Sequence, residues 1–487
     1  MHRGKRYKFF FSTRCSYIKS RSLFNLLFSA LPVRILIVFS AIGNTRILLD
    51  TNVKPQNEPL KFISGLKVIM AFWVVLCHAY LLTNLGFFHS VIEIARLSEW
   101  GTFIFIPNGF LSVVTFFFLS GFVLSYNSAA ARKTNLKANS FLFFLDRILR
   151  RYVRLTFPMM FVMLVAFLLP LMGSGPADKE TYEMMVQECA TSWWRVLTHN
   201  NNFLQDRAMC LQHFWYVGAD MQIFVIIALP LTMLMIRFPK ISCAVGIVAV
   251  VAFSTLTCVQ IHLWDQLYAF NFGTFDTVKL SEALSLIYFR PFTHVGSYVL
   301  GILCGYSAFV HKEAHIHWLV QNILWLVSFA LWTFVIFVTY PWNNGTTPDD
   351  VTAALFGGFH RTLWALACFW PSYACATGRG GLLYKFLGWN LFVTLSRLTY
   401  CIYLVHGLVF YLRSMRVRTL IQMDEFFQFL LAAGVFTVSI FFAYLVHLMV
   451  EAPTLRFEKM ILDRPTRLKS ETNGRHRSED KLEKSQL

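Results

Sequence analysis

The run FISGLKVIMAFWVVLCHAYLL, residues 62–82, carries one full charge, Lys67, in an otherwise almost wholly apolar stretch. As a helix it rises about 30 Å, the thickness of a bilayer hydrocarbon core. His78 stands near its far end. An ionisable side chain at such a depth is costly, and it faces a protein interior or a wet cavity rather than lipid. Lys67 lies about three helical turns earlier, so the two side chains share one face roughly 16 Å apart. A cation and a titratable imidazole on one stripe of a spanning helix read as a site.

The rest of the chain agrees with that reading. Its 487 residues are 56% hydrophobic and 17% aromatic but only 14% charged, with fifty phenylalanines. A mean hydropathy of +0.52 excludes an ordinary soluble domain. Apolar stretches recur at 62–83, 106–126, 155–172, 217–236, 241–261, 293–310, 318–340, 359–377, 398–412 and 426–450. The expected fold is therefore all-α, a polytopic membrane protein with about ten transmembrane helices. The formal charge of +18 then belongs to topology. Basic segments between spans are cytosolic by the positive-inside rule, and no nucleic-acid module is visible.

The boundaries expected are a basic N-terminal region, 1–61, a ten-span domain, 62–462, and a disordered cytosolic tail, 463–487. Within the first, 23–42 is apolar but interrupted by Pro32 and Arg34, which suits an interfacial helix, or a membrane helix, rather than a signal peptide. Alternating loop charge puts both termini on the cytosolic side, in the endoplasmic reticulum or plasma membrane. Cys189 and Cys210 fall in a long loop on the opposite side, where a disulfide is expected. The sequon at Asn344 falls on that side too, as a glycosylation site.

Several segments could carry chemistry. Arg147, Arg150, Arg151 and Arg154 follow i, i+3, i+4, i+7 spacing and would stripe one helix face at the cytosolic surface. They anchor topology, or they cradle phosphates, since guanidinium forks match phosphate oxygens. With Lys67 they would suit a polyanionic ligand such as a coenzyme A ester. Ser120 sits beside Gly121 in an aromatic run, a pattern for close helix packing, and no nucleophile frame surrounds it. Asp220, at the start of a span, is either a carboxylate favoured by the helix dipole or a partner that orients His78 or a substrate hydroxyl. His406 is a second site residue or a buried histidine satisfied by a nearby tyrosine. Arg397 and Glu451 complete the candidate supporting set, Glu451 within Glu451-Ala452-Pro453.

Taken in order, these segments resemble a known family. Lys67 with His78, FFFLSG at 116–121, RYVRLTFP at 151–158, Trp215-Tyr216 with Asp220 and Gln222, LSRLTY at 395–400 with His406, and Glu451-Ala452-Pro453 together resemble the acyltransferase 3 family, in its animal nose resistant to fluoxetine branch. The resemblance covers roughly residues 38 to 462. It implies a ten-span core that moves an acyl group from cytosolic acyl-CoA to a hydroxyl-bearing lipid or other membrane-associated acceptor. His78 matches the family's membrane histidine, a catalytic base, and Arg151 and Arg154 match arginines that serve the acyl donor. Lys67 replaces an arginine, Val114 an aspartate and Thr394 a proline of the family pattern, and a lysine keeps the charge but not the bidentate fork. Animal members also carry a cysteine-rich luminal domain before the first core span, and nothing comparable precedes Leu23 here.

The activity expected is thus O-acyl transfer, with acyl-CoA as co-substrate, no bound cofactor or metal, membrane lipids as partners and no nucleic acid. Oligomeric state is left open by the sequence. A lipid or small-amphiphile transporter, with His78 and His406 coupling protons, is the alternative, as is a catalytically degenerate relative.

Overall fold

In a computed structural model of the chain, the described residues are 31–462, less 83–84, 91–95, 97–99, 135–140, 184–186, 206–207, 271–275 and 422–423. The tail 463–487 and residues 23–30 of the expected interfacial helix lie outside them. The chain divides into two compact units, Thr51–Val446 and a smaller one that joins Met1–Asp50 to His447–Leu487.

The larger unit is all-α. Its long helices are α1 (Phe62–Leu81), α2 (Leu111–Thr134), α3 (Phe141–Ala166), α4 (Gln212–Arg237), α5 (Pro239–Leu263), α6 (Val295–Val310), α7 (Trp318–Phe337), α8 (Asp350–Ala376), α9 (Asn390–Ser414) and α10 (Glu425–Val446). Among the described residues, eight helices are long and apolar enough to cross a membrane, and α3 and α8 are not among them. Both are long enough, so composition sets them apart. The first half of α3 carries the arginine stripe. In α8 the polar positions face protein: Arg361, Ser372 and their neighbours from Ala353 to Ala376 are mostly buried. Only a few of its apolar residues, Val351, Leu355 and Leu366, face outward, so little of the helix must stay apolar for lipid.

The centre of the unit is α2 and α6. Some 78% of the apolar window of each is buried, against 22–28% for α5, α7 and α10. Those outer helices present Val245, Val248, Leu326, Phe329, Phe426 and Phe441 outward, as lipid-facing surfaces would. The core between α1, α2, α6 and α8 is built from Phe62, Val114, Phe118, Phe122, Cys304 and Trp364. Trp364 Nε1 donates to Thr115 Oγ1 at 2.9 Å, tying α8 to α2.

Two glycines let α2 and α6 approach backbone to backbone. A Cβ on Gly121 would collide with the Tyr298 carbonyl oxygen, and one on Gly301 with the Phe118 carbonyl oxygen. The Ser-Gly pair in the aromatic run is therefore a packing device. Gly301→Ala is expected to destabilise the protein by about 1–3 kcal/mol, because the obstacle is main chain and cannot rotate away. Gly434 on α10 has open space around its absent Cβ. Gly434→Ala is expected to be neutral or to gain up to about 1 kcal/mol from helix propensity. Thermal unfolding of both variants in one detergent would check the contrast, and equal behaviour would refute it.

Between α3 and α4 a helix at Glu188–Leu197 is fastened by a Cys189–Cys210 disulfide with a Cα–Cα distance of 4.4 Å. The segment beyond it folds onto the bundle. Gln222 Nε2 donates to the His199 carbonyl at 2.6 Å, and Tyr152 donates its hydroxyl proton to the Leu197 carbonyl at 3.0 Å. Asn344 lies just past α7 and is exposed, as is Thr346.

The smaller unit is helical as well. Helices at Leu31–Val38 and Ala41–Leu49 replace the single helix expected over 23–42. The break falls at Phe39-Ser40, where the Ser40 hydroxyl caps the second helix by accepting from Gly43 N at 3.2 Å. A helix at Ala452–Leu462 packs on the first of them, with Arg456 donating to the Ile37 carbonyl at 3.0 Å.

Candidate active site

His78 comes from the last turn of α1 and His406 from the second half of α9, two helices that pack side by side. Their rings stack with centroids 5.0 Å apart, and His78 Nδ1 lies 2.8 Å from His406 Nε2. His406 is fully buried, and its Nδ1 is 2.6 Å from the Tyr403 carbonyl oxygen. A carbonyl only accepts, so His406 Nδ1 carries the proton of that bond. The neutral ring then offers Nε2 as an acceptor, and the proton between the two histidines belongs to His78 Nδ1. The Nε2 of His78 is left with its lone pair, and no partner holds it among the described residues. The tautomer of His78 is thus set by a backbone carbonyl two links away.

A third imidazole closes the cluster. His213, at the start of α4, has its ring 5.2 Å from that of His406, and its Nε2 donates to the Leu404 carbonyl at 3.0 Å. Tyr403 donates its hydroxyl proton to the His213 carbonyl. Among the described residues no three His, Cys, Asp or Glu side chains converge as a metal would require.

A second polar pair sits beside this cluster. Arg151 of α3 donates to Asp220 of α4, and its guanidinium lies 4.4 Å from the Phe224 ring centroid. The carboxylate is nearly enclosed, at 5% side-chain exposure. One helical turn before Asp220, the Tyr216 ring lies 5.5 Å from Tyr403, which in turn lies 5.6 Å from His406. The two polar centres are thus bridged by two tyrosines.

The sequence-derived residues separate accordingly. Asp220 does not orient His78; it pairs with Arg151, because α3 brings a cation to the buried face of α4. His406 meets both of its readings: buried, it bonds the Tyr403 carbonyl through one ring nitrogen and His78 through the other. The four arginines do not act as one stripe: Arg151 turns inward, Arg150 pairs with Asp146 one turn back at 2.9 Å, Arg147 is half-buried and Arg154 is exposed. Lys67 is half-buried on α1, and Ser120 is half-buried on α2 beside the Gly121 contact. Arg397 is half-buried on α9, one turn before Tyr400, whose hydroxyl donates to the Leu155 carbonyl at 2.6 Å. Glu451 belongs to the smaller unit, where its Oε2 lies 2.7 Å from His447 Nδ1.

Tyr403 and His213 were not anticipated. Tyr403 stands three residues before His406, a spacing that places both on one helix face. His213 carries no periodic signal, since it precedes the regular part of its helix.

A family model described as an acyltransferase domain matches residues 60–448. The chain belongs to the acyltransferase 3 family. It is 26% identical, over 91% of its own length, to nose resistant to fluoxetine protein 6 of Caenorhabditis elegans, and covers 56% of that protein. Regulator of hypoxia-inducible factor 1, from the same organism, is 28% identical over 41% of this chain and 40% of that one. The chain therefore spans about half the length of the curated relatives it matches. No solved structure matches it. The family and the helices make it a polytopic membrane protein of acyltransferase type.

Proposed function

We propose that the protein transfers an acyl group from acyl-CoA to the hydroxyl of a membrane lipid or other membrane-associated acceptor, with His78 as general base. The observation that carries the reading is the His78–His406 hydrogen bond, which points the basic nitrogen of His78 away from its supporting ring. The acceptor hydroxyl gives its proton to His78 Nε2 as its oxygen attacks the thioester carbonyl carbon. The carbon–sulfur bond then breaks, and the imidazolium returns the proton to the leaving thiolate, giving an ester and CoA. Transfer is direct, with no acyl-enzyme.

Arg147, Arg150 and Arg154 receive the phosphates of the donor together with Lys67. The half-buried Arg150–Asp146 pair opens to a phosphate that competes for the guanidinium. Arg151 is a positioning residue, committed to Asp220. Ser120, Arg397 and Glu451 have no assigned step. Both chain ends lie in the cytosol, the membrane is that of the endoplasmic reticulum or the cell surface, and Asn344 carries a glycan.

The test uses purified protein in lipid nanodiscs with a panel of acyl-CoAs and lipid or sterol acceptors. CoA release above the rate of empty nanodiscs is expected for at least one donor. If no acyl-CoA is consumed or bound, and the protein in sealed vesicles instead accumulates an amphiphile without acyl-CoA, the transport reading replaces this one.

A further inference from the structure

Arg361 is the most unusual charge in the larger unit. It lies in the middle of α8 and is only 7% exposed. Its Nη1 donates to the Gly357 carbonyl one turn back at 3.1 Å, and its guanidinium lies 5.8 Å from the Tyr288 ring centroid. Neither contact supplies a negative charge, and no carboxylate pairs with it among the described residues. A buried guanidinium without a counter-ion is an expensive arrangement. Charges inside a membrane bundle are rare and mark substrate or ion sites.

Arg361 also lines a cavity. Its walls include Asn108, Phe110, Tyr268, Phe270 and Phe356, with Ala269 on the connection after α5. The free space is about 40 Å³, room for about three water-sized atoms. A carboxylate group fits that space, and its two oxygens match the fork of one guanidinium. A phosphate would be larger, and its second charge would meet no second cation on this wall. The aromatic rings next to the charge suit an apolar body attached to the carboxylate, of which the cavity itself holds only the charged end. The cavity lies by the end of α5 and the start of α2, between Tyr268 to Phe270 and Pro107 to Leu111. Alternation of the spans puts these on the side of the membrane opposite the start of α3 and its arginines.

We propose that this cavity is a binding site for an amphipathic monocarboxylate, held by Arg361 and entering from the side opposite the arginine stripe. It is independent of the acyl-transfer reading, because binding here needs neither acyl-CoA nor His78.

The probe is benzoate, a carboxylate on a ring, with benzamide as its neutral counterpart. Equilibrium dialysis of each, radiolabelled, against the full chain in nanodiscs reads binding directly, with empty nanodiscs subtracted. Saturable benzoate binding at one site is expected, with benzamide at least about tenfold weaker, since a hydrogen-bonded charge is lost. Arg361→Gln should weaken benzoate by at least about tenfold and leave benzamide unchanged. Ala269→Leu, which fills the cavity without touching the charge, should abolish both, and it decides the matter if Arg361→Gln does not fold. Absence of saturable benzoate binding by wild type, equal affinity for the two probes, or wild-type benzoate affinity in either folded variant would overturn the proposal.

Discussion

His78→Ala is expected to lower acyl transfer about 10²–10⁴-fold with the fold intact, the range for loss of a positioned general base. His78 is half-buried at the end of α1, so its truncation leaves no charge stranded in the core. The effect should fall on kcat, with KM for acyl-CoA unchanged, because the donor is held by other residues. His406 separates a positioning role from a catalytic one. His406→Phe removes the acceptor that fixes the His78 tautomer and should cost about 10–100-fold, as loss of an orienting partner does. His406→Gln restores an acceptor near the same point and should recover part of the rate. Equal rates for His406→Phe and His406→Gln would show that packing, and not the hydrogen bond, is what His406 provides.

Breaking the Arg151–Asp220 pair is the largest expected effect on stability. Asp220→Ala leaves a guanidinium in the bundle without its carboxylate, and Arg151→Ala leaves a nearly enclosed carboxylate without its cation. Each should cost about 3–5 kcal/mol. The double variant Arg151→Met with Asp220→Leu removes both charges and keeps comparable volume, so it should regain most of that loss. Thermal unfolding of the four proteins in one detergent gives the coupling directly. Additive losses would mean that the two side chains do not form a buried pair. If the double variant is stable and still consumes acyl-CoA at the wild-type rate, Arg151 has no part in holding the site.

The fold was legible in the sequence because hydrophobic length is a one-dimensional signal. Each apolar run over 62–83, 241–261 or 318–340 reports its own helix without reference to any other. The two helices that fall short of that signal, α3 and α8, are those that carry buried charges whose surroundings come from other parts of the chain. Arg151 needs Asp220, 69 residues later, and Arg361 faces a cavity walled by α2 and the connection after α5. No local window contains both partners.

The same limit explains the site. His78 stood out alone, as a polar residue in an apolar run. Its partner is 328 residues away, and only the packing of α9 against α1 makes that pairing visible. The sequence left Asp220 open between a helix-dipole carboxylate and a partner of His78 or of a substrate hydroxyl, and its pairing with Arg151 was hidden for the same reason. Spacing placed it at the buried start of a helix but could not say which helix would face it. Tyr403 was within reach of helical periodicity from His406, whereas His213 was not. The break at Ser40 was legible in principle, since serine is a strong helix cap, but the continuous apolar character of 35–39 concealed it.

The most direct test of the central claim follows the acyl group itself. Purified wild-type protein in nanodiscs would be given acyl-CoA labelled in its acyl carbon, with hydroxyl-bearing lipid as acceptor. Label is expected to move into a base-labile ester on the acceptor, one ester for each CoA released, and His78→Ala is expected to form none. Labelled acyl-CoA that stays intact with wild type, or ester that forms equally with His78→Ala, would contradict it.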